Sequence, residues 1–62
     1  MSAAERYLAR QFEVFMVAQA LGRLPSEPNR ANIADMVNRV PRAVMLRAWD
    51  AARRRTNALH PR

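Results

Sequence analysis

The sequence predicts an all-α protein: a three-helix bundle with helices at about residues 2–21, 30–39 and 41–58, paired as a dimer through the first helix. Three observations predict it. Half of the 62 residues are hydrophobic, while the chain holds one glycine and no cysteine. The apolar residues recur at three- and four-residue steps in three separate blocks, the period of amphipathic helices. Gly22, Pro25 and Pro28 separate the first block from the second, and Pro41 separates the second from the third.

Helix 1 opens on a capping box, in which Ser2 accepts from the Glu5 N–H while the Glu5 carboxylate reaches back to the Ser2 N–H. It runs to Leu21, where Gly22 supplies a left-handed stop and Pro25 prevents resumption. Tyr7, Leu8, Phe12, Val14, Phe15, Ala18 and Leu21 cover one broad face, bordered by Met16 and Val17. An amphipathic surface helix usually carries an apolar arc a little over 100° wide, and this one spans more than half the circumference. Two short companions cannot cover it. A cysteine-free chain this small also struggles to bury enough surface by itself. Tyr7, Phe12, Val14, Met16, Val17 and Leu21 are therefore the candidate contacts for a second copy of the chain, or for another protein.

Arg23 to Asn29 reads as a loop stiffened by two prolines, with Leu24 tucked beneath it. Asn29 is the expected N-cap of helix 2, and Ser26 is a competing choice that starts the helix three residues earlier. Ile33, Val37 and Val40 line the inner face, with Met36 and Ala34 at its borders. Asp35 and Arg39 are spaced for an i,i+4 ion pair. A tight turn through Asn38-Arg39-Val40-Pro41 follows, because proline suits a first helical turn and disfavours helical geometry in the residue before it.

Helix 3 carries an apolar stripe of Val44, Met45, Ala48, Trp49, Ala52, Thr56 and Leu59 for packing against helix 2. Arg42, Ala43, Leu46, Arg47, Asp50, Arg53 and Arg54 face outward. The net charge of +6 is concentrated here: nine arginines oppose three acids from Gly22 onward, whereas arginines and acids balance before it. Such clustering is expected of polyanion binding. All the basic residues are arginine, which suits phosphate but also follows from a GC-rich genome.

Over residues 30–55, Ile33-Ala34, Val37, Val40-Pro41 and the Val44-Met45-Leu46-Arg47 run resemble the helix-turn-helix DNA-binding superfamily. Asn38 stands where that turn commonly has glycine, and the turn is one residue longer. The resemblance implies a dimeric transcriptional regulator bound to double-stranded DNA, with helix 3 of each subunit in the major groove of half-sites about one turn apart. Arg42, Ala43, Leu46 and Arg47 would then reach base edges, and Arg53, Arg54 and Arg55 would hold phosphates.

A second class of function stands beside it. An adaptor or inhibitor would dock another protein on the apolar face of helix 1 or around Leu46 and Trp49. RNA binding through the arginine-rich end lacks an aromatic stacking platform. Enzyme chemistry finds no support: Ser2, Ser26 and Thr56 have structural explanations, and no glycine-rich phosphate loop is present. His60 is a lone histidine without a second ligand at metal spacing, so no metal, cofactor or small-molecule substrate is expected. No segment is long and apolar enough to span a bilayer and no signal-peptide layout opens the chain, which predicts a cytoplasmic protein. The chain reads as one domain whose residues 57–62 form a fraying tail, with Leu59 as its anchor.

Overall fold

The computed structural model describes residues 1–59. They form α1 (Ala3–Ala20), α2 (Glu27–Arg39) and α3 (Arg42–Leu59), an all-α three-helix arrangement of 30 × 24 × 16 Å. The helix ends follow from local chemistry. Ser2 caps α1 by accepting from the Glu5 N–H at 3.1 Å. The reciprocal arm of the expected capping box does not form, because the Glu5 carboxylate turns toward α3 instead. At the other end Gly22 takes φ 70°. Its N–H donates to Gln19 and that of Arg23 to Ala18 at 3.0 and 2.8 Å, the paired closure of a Schellman motif.

Three expectations for the middle of the chain are corrected. Helix α2 starts three residues earlier than its preferred cap implied, because Ser26 caps it by accepting from the Asn29 N–H at 3.2 Å. Asn29 is freed for a tertiary role. Its buried amide donates to the backbone carbonyl and to the side-chain Oε1 of Gln11, both at 2.9 Å, pinning the start of α2 to the middle of α1. Leu24 does not tuck under the loop: it is 78% exposed, and Pro25 is buried in its place. Asn38 and Arg39 remain helical, so the turn shortens to Val40 and Pro41, with Val40 extended at φ −94°, ψ 151° as a residue before proline prefers.

Pro41 lies just outside α3 rather than within its first turn. Its carbonyl accepts from Val44 and Met45 at 3.0 and 3.1 Å, so it occupies the cap position while offering no capping side chain. The helix runs to Leu59, into the stretch expected to fray, and Leu59 is 57% exposed and anchors nothing. The expectations for His60, Pro61 and Arg62 lie outside the described residues.

The core sits between α1 and α3. Leu8 and Phe12 of α1 are buried against Ala48 and Ala52 of α3, with Ile33, Met36 and Val37 from α2 and Val40 from the turn closing over them. Large residues on one helix meet alanines on the other, which lets the helices approach closely. Helix α1 is thus the hub: it packs extensively on α3 and less on α2, while α2 and α3 make little contact. The α3 stripe rests on α1, not on α2 as the sequence suggested.

Two matched ion pairs give the relative direction of the outer helices. Arg47 meets Glu5, and Arg55 meets Glu13. Each step is eight residues, about 12 Å of helix, on both helices. Helices α1 and α3 therefore run in the same direction, and α2 returns between their ends.

Candidate nucleic-acid interface

The outer face of α3 belongs to an 18-residue helix, about five turns, whose inner side is held by Ala48, Ala52 and Thr56. Thr56 is buried and donates to the thioether of Met16 at 3.8 Å. Trp49 lies at the edge of this contact, 41% exposed, with its ring edge-on to Phe12 at 5.1 Å and 81°. It is therefore half core and half surface. The inner anchoring turns Arg42, Ala43, Leu46, Arg53 and Arg54 to solvent, as expected of these five.

The arginines of α3 divide into two groups that the sequence did not separate. Arg47 donates from Nε and a terminal nitrogen to Glu5 Oε1 at 3.1 and 2.9 Å. Arg55 donates from Nε to Glu13 Oε1 at 3.2 Å. Both acceptors are nearly covered, at 7% and 11% side-chain exposure. A covered carboxylate needs its donor, so these two arginines brace α3 against α1. Arg47 is engaged within the fold at the very position where a base-reading residue was expected.

Arg53 and Arg54 share the single carboxylate of Asp50 at 2.8 and 2.9 Å, with all three side chains open to water. Such exposed pairs contribute at most about 1 kcal/mol and exchange readily for another anion. Arg42 has no acidic partner among the described residues, nor have Arg6, Arg23 and Arg30. Asp35 and Arg39 form the expected pair at 3.1 Å.

The amino end of α3 is electrostatically unusual. Its first turn carries no acidic residue, and a cation, Arg42, sits at the positive pole of the helix dipole, where a carboxylate is normally favoured. With proline before it, the N–H groups of Arg42 and Ala43 receive no side-chain cap among the described residues. Open amides, the dipole and a guanidinium therefore all favour an anion at the same place.

Beside this face, Arg42, Leu46, Trp49 and Arg53 follow one another at four- and three-residue steps, two apolar side chains flanked by two cations. It borders an open cleft of about 300 Å³ between the carboxyl halves of α1 and α3, lined by Met16, Gln19, Trp49, Arg53, Thr56 and Asn57 among others.

The candidate contacts on α1 also divide. Tyr7, Val14 and Leu21 are 46%, 40% and 62% exposed, and Val17 is half-buried on the same free side. Phe12 leaves this set, since it is 5% exposed in the core. Met16 leaves it too, because it faces Thr56 on α3. Both lie on the part of the broad apolar arc that α3 does cover. No group of three or more histidine, cysteine or acidic residues is placed to hold a metal among the described residues, and no described helix is long and apolar enough to cross a membrane.

The roles of Glu5, Glu13 and Asn29 were missed. The equal eight-residue spacing of the two glutamates and of Arg47 and Arg55 was the available signal for the first two; nothing local marked Asn29. No family model, curated protein or solved structure matches the chain.

Proposed function

We propose that the chain binds double-stranded DNA through the outer face of α3. The observation that carries this reading is the uncapped amino end of α3 with Arg42 upon it, continued by Arg53 and Arg54 sharing one carboxylate. Helix amino ends and arginines are common phosphate contacts, and they orient a helix on the duplex without reading its sequence. Ala43 and Leu46, between the two cationic ends, lie nearest the bases, where small and apolar side chains meet thymine methyl groups. Arg47 and Arg55 act as braces. This reading departs from the helix-turn-helix expectation in one respect: affinity rests mainly on phosphates, and base preference is weak because the expected arginine reader is tied to Glu5.

Titration of a mixed-sequence duplex at two salt concentrations tests it. Binding should weaken steeply with salt, and Arg53→Gln with Arg54→Gln should lower the logarithmic salt slope by about 1–2. Absence of measurable binding at low salt would eliminate the proposal.

A second reading is favoured by the exposure of Leu46 and Trp49, at 48% and 41%. Tryptophan and arginine are the residues on which protein interfaces concentrate their energy. A partner protein presenting an acidic, partly apolar helix fits the Arg42, Leu46, Trp49, Arg53 stripe. Binding that persists in moderate salt and disappears with Trp49→Ala would mark this alternative.

A further inference from the structure

A second cleft, of about 290 Å³, opens between α1 and α3 on the border of α3 away from Trp49 and Arg53. Three arginines line it, Arg6 and Arg10 from α1 and Arg55 from α3, and Glu13 is the one acid among them. Two positive charges in this concave space are left without a counter-charge.

The hydrogen bonds show how little of the donor capacity is engaged. Glu13 Oε1 accepts from Arg10 Nη1 at 3.5 Å and from Arg55 Nε at 3.2 Å, so guanidiniums from two helices converge on a single oxygen. Arg55 braces α3 through Nε alone, and its two terminal nitrogens have no acceptor among the described residues. The Arg10 contact is longer than a well-formed hydrogen bond. Arg6, one turn earlier on α1, donates only to the Met1 carbonyl at 3.2 Å. Cations scattered over a surface are each solvated separately, whereas these three share one space. Alanines make that space: Ala9, Ala51 and Ala52 line it where longer side chains would fill it.

We propose that this cleft binds a phosphomonoester dianion. Such a group carries close to two negative charges near neutral pH, the charge that the arginines and Glu13 leave uncompensated, whereas a phosphodiester carries one. The planar guanidinium forks of Arg10 and Arg55 suit two of its oxygens and Arg6 a third. The alanines receive the carbon on the ester oxygen. Small phosphorylated molecules and the 5′ end of a nucleic-acid strand both present this group. The inference does not rest on duplex binding by α3, because Arg42, Arg53 and Arg54 do not line the cleft, so either can fail alone.

Titration of the ¹⁵N-labelled protein with methyl phosphate and with dimethyl phosphate, at one ionic strength, tests it. Methyl phosphate should shift the amide signals of Ala9, Ala51 and Ala52 saturably, and dimethyl phosphate should bind more weakly. Arg6→Gln should weaken methyl phosphate binding about three- to tenfold. Arg30→Gln removes the same charge from an arginine outside the cleft and should leave the affinity unchanged. Ala51→Leu should abolish saturable binding without altering any charge, and circular dichroism checks that each variant keeps its helices. A 5′-phosphorylated oligothymidine that shifts the same signals, where its 5′-hydroxyl form does not, would support a strand end as the source; methyl phosphate acting where the oligonucleotide does not would support a small molecule. No saturable shift with methyl phosphate, equal binding of dimethyl phosphate, equal losses in Arg6→Gln and Arg30→Gln, or undiminished binding by a folded Ala51→Leu protein would each overturn the proposal.

Discussion

Replacing Arg47 with alanine separates the two roles open to this side chain. The guanidinium supplies two donors to Glu5 Oε1 at 3.1 and 2.9 Å. Its removal strands a carboxylate that is 7% exposed beneath α3, while Arg47 itself is 60% exposed. Loss of one member of a fully buried pair costs about 3–5 kcal/mol. Water can enter where an open arginine stood, so the discounted loss is about 1–2 kcal/mol. In a domain this small, each kcal/mol moves the midpoint by about 4–8 °C, which predicts a fall of roughly 5–15 °C. Thermal unfolding followed by circular dichroism, at one fixed protein concentration, measures it. A cycle with Glu5→Ala should return a coupling of about 1 kcal/mol, because the two changes act on one contact. The reasoning is refuted if Arg47→Ala melts with the parent protein yet loses preference among DNA sequences. Arg47 would then be the base reader that the sequence suggested, and the brace would be inconsequential.

Three further outcomes follow from the packing. Phe12→Ala should remove about 3–5 kcal/mol of a total that the chain's size puts at roughly 3–9 kcal/mol, the largest loss of any single substitution in α1 by thermal unfolding; a melt unchanged from that of the parent protein would show that the core lies elsewhere. Asn29→Asp turns a carboxylate toward two oxygen acceptors of Gln11, and urea titration should show a loss of about 2–3 kcal/mol, larger than for Asn29→Ala. Gly22→Ala should cost about 1 kcal/mol by the same titration; nothing lies within 4 Å of an added Cβ, so the loss would come from the positive φ alone.

The extent of each helix was legible because it depends on local signals. Periodicity marked the three blocks, Ser2 and Gly22 marked the ends of α1, and Pro41 marked the break before α3. The start of α2 was ambiguous for a physical reason: Ser26 and Asn29 are both good caps, and the choice depended on whether Asn29 had a buried tertiary partner in Gln11. The site was legible as a charged face but not as a division of labour. Helical spacing shows that Arg47 and Arg55 lie on the border of α3. Whether a border arginine points to a ligand or to a neighbouring helix depends on what that neighbour presents, and of the two glutamates Glu5 reads locally as a capping residue while Glu13 carries no local signal. The apolar arc of α1 was likewise visible in width but not in partition. Phe12 and Met16 face α3 while Val14 and Val17 do not, and only the direction of packing decides that.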